Sequence, residues 1–330
     1  MIRLFLLFFL CCSQLYGFSG EIASRFDVVL VGTSPVSLLE ALYQYHQGKS
    51  VLVLEQSAEC GGVWKSREIC GIPDADISCH IIEHDKSTRL FFEEYLGCCM
   101  VPVDHLDASR AQPKDSGRYY FSKGCHEMIS HILELIKNTE IVLLLNHRVD
   151  SINVHSDEWV TVNSSNEQFE TGKLIIPKHA SFAVENQSSS PIDCNVHKYY
   201  HLYLLIEDST PQRFIHQYSR DKEISRAMNL TSFTGLNGTG KQLIIVQTFK
   251  ECHAVNGEIF LSLLKKKNLV DVNAKLLDAE TCIYEQPKTN KALLEQAKAT
   301  PNAVEILDTS YLHQMSKHIP RWKQVFALWK

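Results

Sequence analysis

One segment near the N-terminus restricts the possible folds more than any other part of the chain. Residues 28–37 read VVLVGTSPVS, an apolar run that ends in a single glycine. Residues 35–47 then repeat apolar side chains at helical spacing, and Pro35 suits the first turn of a helix. A second apolar run, SVLVLE, follows at residues 50–55. Strand, helix and strand in such close succession predict two parallel strands joined by a right-handed crossover.

The turn after the first strand has the spacing of a dinucleotide-binding loop. Such a loop places glycine at the turn, where the backbone meets pyrophosphate, and where the helix packs on the strand. Here these three positions are Gly32, Ser34 and Ser37. Gly32 keeps the turn, Ser34 places a side chain where phosphate would approach, and Ser37 is small enough for close packing. The helix N-terminus still offers N–H groups to an anion, so we predict pyrophosphate binding here.

An acidic residue at the end of the second strand supports this prediction. Glu55 follows Gly32 by 23 residues, a position from which a carboxylate binds both hydroxyls of a ribose. The structural alternative is that packing alone explains Gly32 and that Glu55 is a solvated strand end. Loop, crossover and carboxylate together favour a nucleotide-binding origin.

The order of the later elements is unusual for a simple dehydrogenase. After a predicted helix near 124–138 we expect an apolar strand, three half-polar strands and a return to the buried sheet, at residues 141–145, 148–155, 158–163, 167–171 and 174–177. Two strands are expected in the next part, at 199–208 and 241–249, and helices from about 258 onward. We predict four segments: a signal peptide over 1–19, a nucleotide-binding domain over 20–182, an inserted α+β domain over 183–270 and a helical return over 271–330.

The segment after Glu55 makes a resemblance specific. With QSAECGGVW following it, the chain resembles the N-terminal FAD motif of the flavin amine oxidase and protoporphyrinogen oxidase-like family. The resemblance continues through residues 74–85, 119–134 and 146–152. It implies a Rossmann-like FAD-binding domain with a β-meander crossover and an inserted substrate-type domain. The implied cofactor-binding residues are Gly32, Ser34, Ser37, Glu55, Gly61, Gly62, Trp64 and, beside the adenine, Val149.

The chain also departs from that family. Two of the three fingerprint glycines are serine, and Glu59-Cys60 stands where an arginine often precedes the glycine pair. The family usually closes the site with a C-terminal glycine-rich turn, but the last glycine here is Gly257. The resemblance therefore implies a degenerate member, for which retained and lost FAD binding are both open.

Two classes of function follow. One is an FAD-binding oxidoreductase acting on a small amine or on a CH–NH or CH–CH bond. The alternative is a cofactor-free binding or scaffold protein, similar in kind to the Rab escort and GDP-dissociation-inhibitor family, which residues 26–66 also resemble. The sequence assigns no catalytic acid or base. No C-x-x-C or paired-histidine spacing indicates a metal site, and the histidines near residue 80 are interpreted as surface-loop residues.

Charge and the N-terminus limit partners and location. The net charge is −5, with no basic stripe, so we expect no nucleic-acid partner; the partner is a small molecule or a protein. Met1-Ile2-Arg3 and the apolar run after it predict a secretory signal peptide and no membrane span in the mature chain. An uncleaved anchor or a cytoplasmic chain is the alternative. Four N-x-S/T sequons would be glycosylation sites in a eukaryotic secretory pathway, at Asn163, Asn186, Asn229 and Asn237.

A Walker-like match is interpreted as a turn. Residues 235–242, GLNGTGKQ, resemble a phosphate-binding loop but precede a strand instead of a helix. We therefore predict a glycine-rich turn and no ATP or GTP site.

Overall fold

A computed structural model describes most of the chain from residue 24 onward. The described residues are 24–78, 80, 86–107, 119–156, 158–185, 196–209, 214–217, 223–248, 256–287, 290–308 and 317–326. The predicted signal peptide and the sequon at Asn186 lie outside them.

The described elements are eighteen strands, six α-helices and two short 3₁₀ turns. The strands are β1 (Arg25–Val31), β2 (Val51–Leu54), β3 (Ser66–Ile69), β4 (Ile72–Asp76), β5 (Met100–Pro102), β6 (Asp104–Asp107), β7 (Tyr119–Phe121), β8 (Val142–Leu144), β9 (Val149–Ser156), β10 (Trp159–Ser164), β11 (Glu167–Pro177), β12 (Ala183–Val184), β13 (Val196–Glu207), β14 (Phe214–Gln217), β15 (Arg226–Asn229), β16 (Lys241–Thr248), β17 (Lys275–Pro287) and β18 (Val304–Leu307). The helices are α1 (Pro35–His46), α2 (Lys86–Tyr95), α3 (Cys125–Lys137), α4 (Gly257–Lys266), α5 (Lys291–Ala299) and α6 (Ile319–Phe326), and the 3₁₀ turns are Gly62–Trp64 and Thr231–Phe233.

The first sheet is built around the predicted β-α-β unit. β1 pairs in parallel with β2 on one side and with β11 on the other, and β2 pairs in parallel with β8. Side chains alternate between two cores: Leu30 and Val53 face α1 and α3, whereas Val29 and Leu52 face the meander. Since both faces are covered, these strands read as continuous apolar runs.

The meander enters the sheet through one long strand that changes neighbours. β9, β10 and the first half of β11 are antiparallel neighbours, and β11 then continues alongside β1. The sequence predicted separate strands at 167–171 and 174–177, but the structure has one strand, Glu167–Pro177. The second half gains β18 as a parallel neighbour, so the ladder continues after β10 ends.

The second sheet has the order β17-β13-β16-β15-β14-β6. One face is covered by α4, where Leu204, Ile244 and Leu264 form an apolar core. Residues on the other face, including Tyr203 and Ile245, join the core of the first sheet. The two sheets are therefore held together by shared apolar packing.

The C-terminal part differs from the prediction of a helical segment over 271–330. It contains β17, which lies at the edge of the second sheet, and β18, which lies in the first sheet. β17 was missed because an edge strand leaves polar and apolar side chains exposed, so its sequence lacks a continuous apolar run. The helices α5 and α6 agree with the periodicity of their segments.

Several local predictions are also resolved. The Walker-like segment forms turns that lead into β16, as predicted. Asn229 is 1% exposed and its amide donates to Gln242 Oε1, so this sequon is buried in the folded chain. None of the helices in the described ranges is long and apolar enough to cross a membrane.

Candidate functional site

A cleft of about 600 Å³ lies across the carboxyl ends of β1, β2, β8 and β11. The chain leaves β1 toward β2 on one side, whereas β11 flanks β1 on the other side, which makes this the switch point of the sheet. Of the eight predicted site residues, seven line the cleft: Gly32, Ser34, Ser37, Glu55, Gly62, Trp64 and Val149. The eighth, Gly61, precedes the cleft residue Gly62 in the sequence, and its N–H contacts Thr33 in the loop after β1.

Gly32 forms the turn that opens the cleft. Its φ is +82°, and its N–H donates to Leu54 O at 2.8 Å. A Cβ built on Gly32 would meet only Pro177, at 3.9 Å. The requirement for glycine therefore comes from the left-handed backbone and not from lack of space.

Ser34 and Ser37 cap the helix that follows. The Ser34 hydroxyl accepts a hydrogen bond from Ser37 N at 3.1 Å, and the two hydroxyl oxygens lie 2.9 Å apart. Ser34 is thus the N-cap of α1, with Pro35 in the first turn. The Ser34 hydroxyl therefore accepts the hydrogen bond of Ser37 N–H, a group that would otherwise be available to an anion.

Few N–H groups of the loop remain open. Thr33 N donates to Glu55, Pro35 has no N–H, and Ser37 N is capped. Within residues 33–37 of the described chain, only the N–H groups of Ser34 and Val36 donate no hydrogen bond to the protein. The loop therefore keeps the shape of a phosphate-binding turn with a reduced number of donors.

Glu55 is turned toward the loop and is 5% exposed. Its Oε2 accepts from Thr33 N at 3.0 Å and from Thr33 Oγ1 at 2.6 Å, and its Oε1 accepts from Ser57 N at 2.8 Å. The carboxylate is therefore not a solvated strand end. Because a carboxylate has about four acceptor positions, Oε1 retains capacity for one more donor from the cleft.

Thr33 connects the glycine pair to this network. Gly61 N donates to Thr33 O at 3.1 Å and lies 3.0 Å from Thr33 Oγ1. Gly61 and Gly62 both have positive φ, at +106° and +55°. Thr33 occupies a variable position of the fingerprint, so sequence reasoning passed over it, and its hydroxyl is the one signal that could have identified it.

Trp64 lines the cleft but belongs to the interior. It is 2% exposed and stacks on the imidazole of His80, with ring centroids 3.7 Å apart and planes at 11°. The prediction that His80 is a surface-loop residue is wrong, since it is 7% exposed and its Nε2 lies 2.6 Å from Val63 O. Burial lowers the pKa of His80 to about 3, so this imidazole is neutral.

The far wall of the cleft contains Val149, with His147, Arg148 and Phe182 beside it. Val149 is 5% exposed and begins β9. His147 Nε2 lies 3.3 Å from Glu167 Oε2. This wall joins two apolar side chains, Val149 and Phe182, to two polar neighbours, and a mixed lining of this kind suits a heterocyclic base.

A third wall comes from the second sheet and was not anticipated. Tyr284, Glu285 and Gln286 of β17 also line the cleft. Lys65, which follows the 3₁₀ turn, lines the cleft as well and borders a smaller pocket together with Tyr284. Because β17 was not predicted as a strand, its residues could not be placed here from the sequence.

The C-terminal helix packs behind the loop instead of extending it. Glu40 on α1 is fully buried, and its Oε2 accepts from Arg321 Nη2 at 2.5 Å and from Trp322 Nε1 at 3.1 Å. Burial raises the pKa of Glu40, while the Arg321 guanidinium opposes that rise. These contacts fix α6 against the helix that carries Ser34 and Ser37.

Comparisons with known proteins identify the fold. No protein-family model and no curated protein sequence matches the chain. Among solved structures, a putative protoporphyrinogen oxidase from Exiguobacterium sp. 255-15 has a TM-score of 0.63 at 9% identity, over 93% of this chain and 99% of that chain. Cyclohexylamine oxidase from Brevibacterium oxydans IH-35A has a TM-score of 0.63 at 11% identity, over 92% and 98% of the two chains. Reduced UDP-galactopyranose mutase has a TM-score of 0.64 at 10% identity, over 92% and 94%.

These similarities extend over nearly the whole length of both partners, so they include both sheets and not only the β-α-β unit. The identity is so low that the likeness concerns the fold alone. The predicted fold class, a Rossmann-like domain with a meander crossover and a second α+β unit, is confirmed. The chain has the fold that these oxidases and this mutase share.

Proposed function

We propose that the cleft binds the adenosine and phosphate part of a dinucleotide, and that the dinucleotide is FAD. The observation that carries this proposal is the convergence of Gly32, Glu55 and Val149 on one cleft at the switch point of a parallel sheet. Ligands of open α/β sheets bind at such points, beyond the carboxyl ends of the strands. The fold similarity to two proteins described as oxidases supports FAD over other dinucleotides.

The residues present fit this moiety, with one weakness. Glu55 Oε1 can accept from a ribose hydroxyl, and Val149 offers an apolar contact to a base. At the phosphates, the N–H groups of Ser34 and Val36 remain, whereas Ser37 N is already capped. We therefore expect weaker phosphate binding than a loop with three glycines provides.

A bound flavin would supply hydride-transfer chemistry, and the protein would supply binding and orientation. On this proposal the reaction is the oxidation of a small amine or of a CH–NH or CH–CH bond. Trp64 and His80 would form a rigid floor beside the cofactor because they are stacked and buried. No described residue is assigned here as the acid or base.

The second candidate is a binding or scaffold protein that keeps the fold without the cofactor. The cap formed by Ser34 and Ser37 favours it, because the loop satisfies its own donors. On this reading the cleft takes a protein segment or a small molecule without phosphate.

One measurement separates the two candidates. Purified protein should show a visible flavin absorbance, or should acquire it after incubation with FAD and removal of free cofactor. Glu55→Gln should weaken FAD binding, whereas Asp27→Asn, at the opposite end of β1, should leave it unchanged. Protein that is folded but shows no flavin absorbance after incubation with excess FAD and removal of the free cofactor would refute the first candidate and favour the second.

A pair of Ser34 variants tests the loop itself. Ser34→Gly removes the hydroxyl and the Cβ, and it frees Ser37 N at a cost of a few tenths of a kcal/mol of helix capping. Ser34→Ala frees the same N–H but keeps a Cβ. If the cap competes with phosphate, both variants should bind FAD more tightly; if the side chain obstructs phosphate, only Ser34→Gly should.

We also propose that the chain is exported, on the strength of the sequence of residues 1–19 alone. N-terminal sequencing of protein recovered outside the cytoplasm would test it. Among the sequons in the described part, Asn237 is exposed and Asn163 is half-buried, so Asn237 is the stronger candidate for glycosylation.

A further inference from the structure

The edge strand β17 is the longest strand of the described chain and pairs on one side only. Twelve of its 13 residues pair with β13, since Leu277 lies in an irregularity, and no other strand in the described ranges lies along its second side. In an edge strand, alternate residues direct N–H and C=O groups away from the sheet. β17 therefore presents a long row of backbone groups that another strand could pair with.

The middle of β17 lacks the features that usually prevent such pairing. Natural edge strands are protected by shortness, by proline or lysine, or by a bulge. β17 has one irregularity near its start, opposite Leu205 and Ile206, and a proline at its end. Residues 279–286, AETCIYEQ, contain no proline, glycine or lysine. Among the described strands none pairs with this stretch on its second side, although the N–H of Ala279 at its start already donates to Asp278 Oδ1.

An exposed isoleucine marks the centre of the open stretch. Ile283 is 61% exposed, although its cross-strand neighbour Tyr200 is buried. The nearby carboxylates are already paired within the chain: Glu280 lies 2.6 Å from Arg67, and Glu285 lies 3.0 Å from Lys198. The edge thus combines a backbone with no strand partner in the described ranges, an exposed apolar side chain and largely compensated charge.

We propose that β17 pairs antiparallel with β17 of a second copy of this chain, about a two-fold axis at Ile283. In this register the two Ile283 side chains face each other, Glu280 faces Gln286, and Glu285 faces Thr281. No carboxylate faces another carboxylate. An axis at Glu280 or Glu285 would place like charges directly opposite each other, which is destabilising.

This dimer also borders the cleft. Glu285 and Gln286 belong both to the paired edge and to the cleft wall. The second copy therefore lies along the cleft mouth on the side of β17. The proposal does not depend on which molecule the cleft binds.

Sedimentation velocity of the purified chain, from about 1 µM to about 100 µM, tests the proposal. The wild type should dimerise in this range. Ile283→Lys and Ile283→Glu should each weaken dimerisation at least about tenfold, because each replaces an apolar contact by two like charges. An equimolar mixture of the two variants should form dimers again, since lysine then faces glutamate. Ile259→Lys, at a 54% exposed position on α4, is the matched control and should dimerise like the wild type.

Three results would overturn the inference. The wild type could be a monomer over the whole range, Ile283→Lys could dimerise as well as the wild type, or the mixture of charged variants could remain monomeric. Circular dichroism of each variant checks that it is folded. Because Ile283 is largely exposed, neither substitution removes a core contact.

Discussion

Mild acid should destabilise this protein through His201, which lies on β13 between the two sheets. The side chain is 1% exposed, and its Nδ1 lies 3.1 Å from Ile77 O. A carbonyl oxygen can only accept, so Nδ1 carries the proton and donates. Burial first, and then the nearby Arg226 cation, lower the pKa of His201 to about 4. The folded protein therefore holds this imidazole neutral.

The size of the effect follows from the two pKa values. In the unfolded chain a histidine has a pKa of about 6.5, so between about pH 6.5 and pH 4 the unfolded state binds a proton that the folded state does not. The free energy of unfolding is unaffected by this group above that range and falls as the pH decreases through it. At pH 5 the loss is about 2 kcal/mol, and the full loss at lower pH is about 3 kcal/mol. His80, whose pKa is lowered to about 3, adds to the same trend.

Urea unfolding at pH 7.5 and at pH 5.0 measures this directly. His201→Asn keeps an amide donor where Nδ1 lies but does not titrate, so its stability loss between these pH values should be smaller than that of the wild type by about 2 kcal/mol. His155→Asn, at an exposed position of β9, should keep the wild-type pH dependence. Equal losses in the wild type and in His201→Asn would refute the assignment of acid lability to this imidazole.

Three further variants test the packing around the cleft by urea unfolding at neutral pH. Glu40→Ala should lower the free energy of unfolding by about 3 kcal/mol, because it leaves Trp322 Nε1–H buried without an acceptor and Arg321 without its counter-charge; an unchanged midpoint would contradict this. Gly32→Ala should cost about 1–2 kcal/mol through its positive φ, whereas Gly172→Ala, whose Cβ has ordinary contacts and no positive φ, should cost less. Thr33→Val should cost about 2 kcal/mol, because it removes the hydroxyl between Glu55 and Gly61; a cost near zero would show that water replaces it.

The sequence predicts the parallel core well because its signals are local. β1, α1 and β2 follow one another within about thirty residues, and both strands are buried on both faces, so each reads as an apolar run. Gly32 and Glu55 could be placed from spacing because the β-α-β geometry fixes their separation. The same reasoning identified the meander, whose strands are joined by short turns.

The remaining parts of the site depend on distant contacts. β17 is a neighbour of β13 in the sheet, but β14, β15, β16 and α4 lie between the two strands in the sequence. Nothing local in the sequence therefore shows that Tyr284 reaches the cleft. His80 is buried against Trp64 and Val63, and no local pattern in the sequence indicates these contacts. The hydrogen bond from Ser37 N to the Ser34 hydroxyl is local, but an anion would compete for the same N–H group. The spacing of residues in the sequence does not show which of the two acceptors wins.

The long strand β11 determines when this cleft can be assembled. Its first half joins a local meander, but its second half must lie between β1, about 145 residues earlier in the chain, and β18, about 130 residues later. Contacts of such long sequence separation form late and slowly, because the intervening chain must first be ordered. During synthesis the hairpins of the meander can therefore form before the parallel ladder of β1, β11 and β18 behind the cleft, which is completed only when the last strand arrives. A chain interrupted before residue 304 would expose the apolar edge of β11, and that edge is the natural target for a chaperone or a protease.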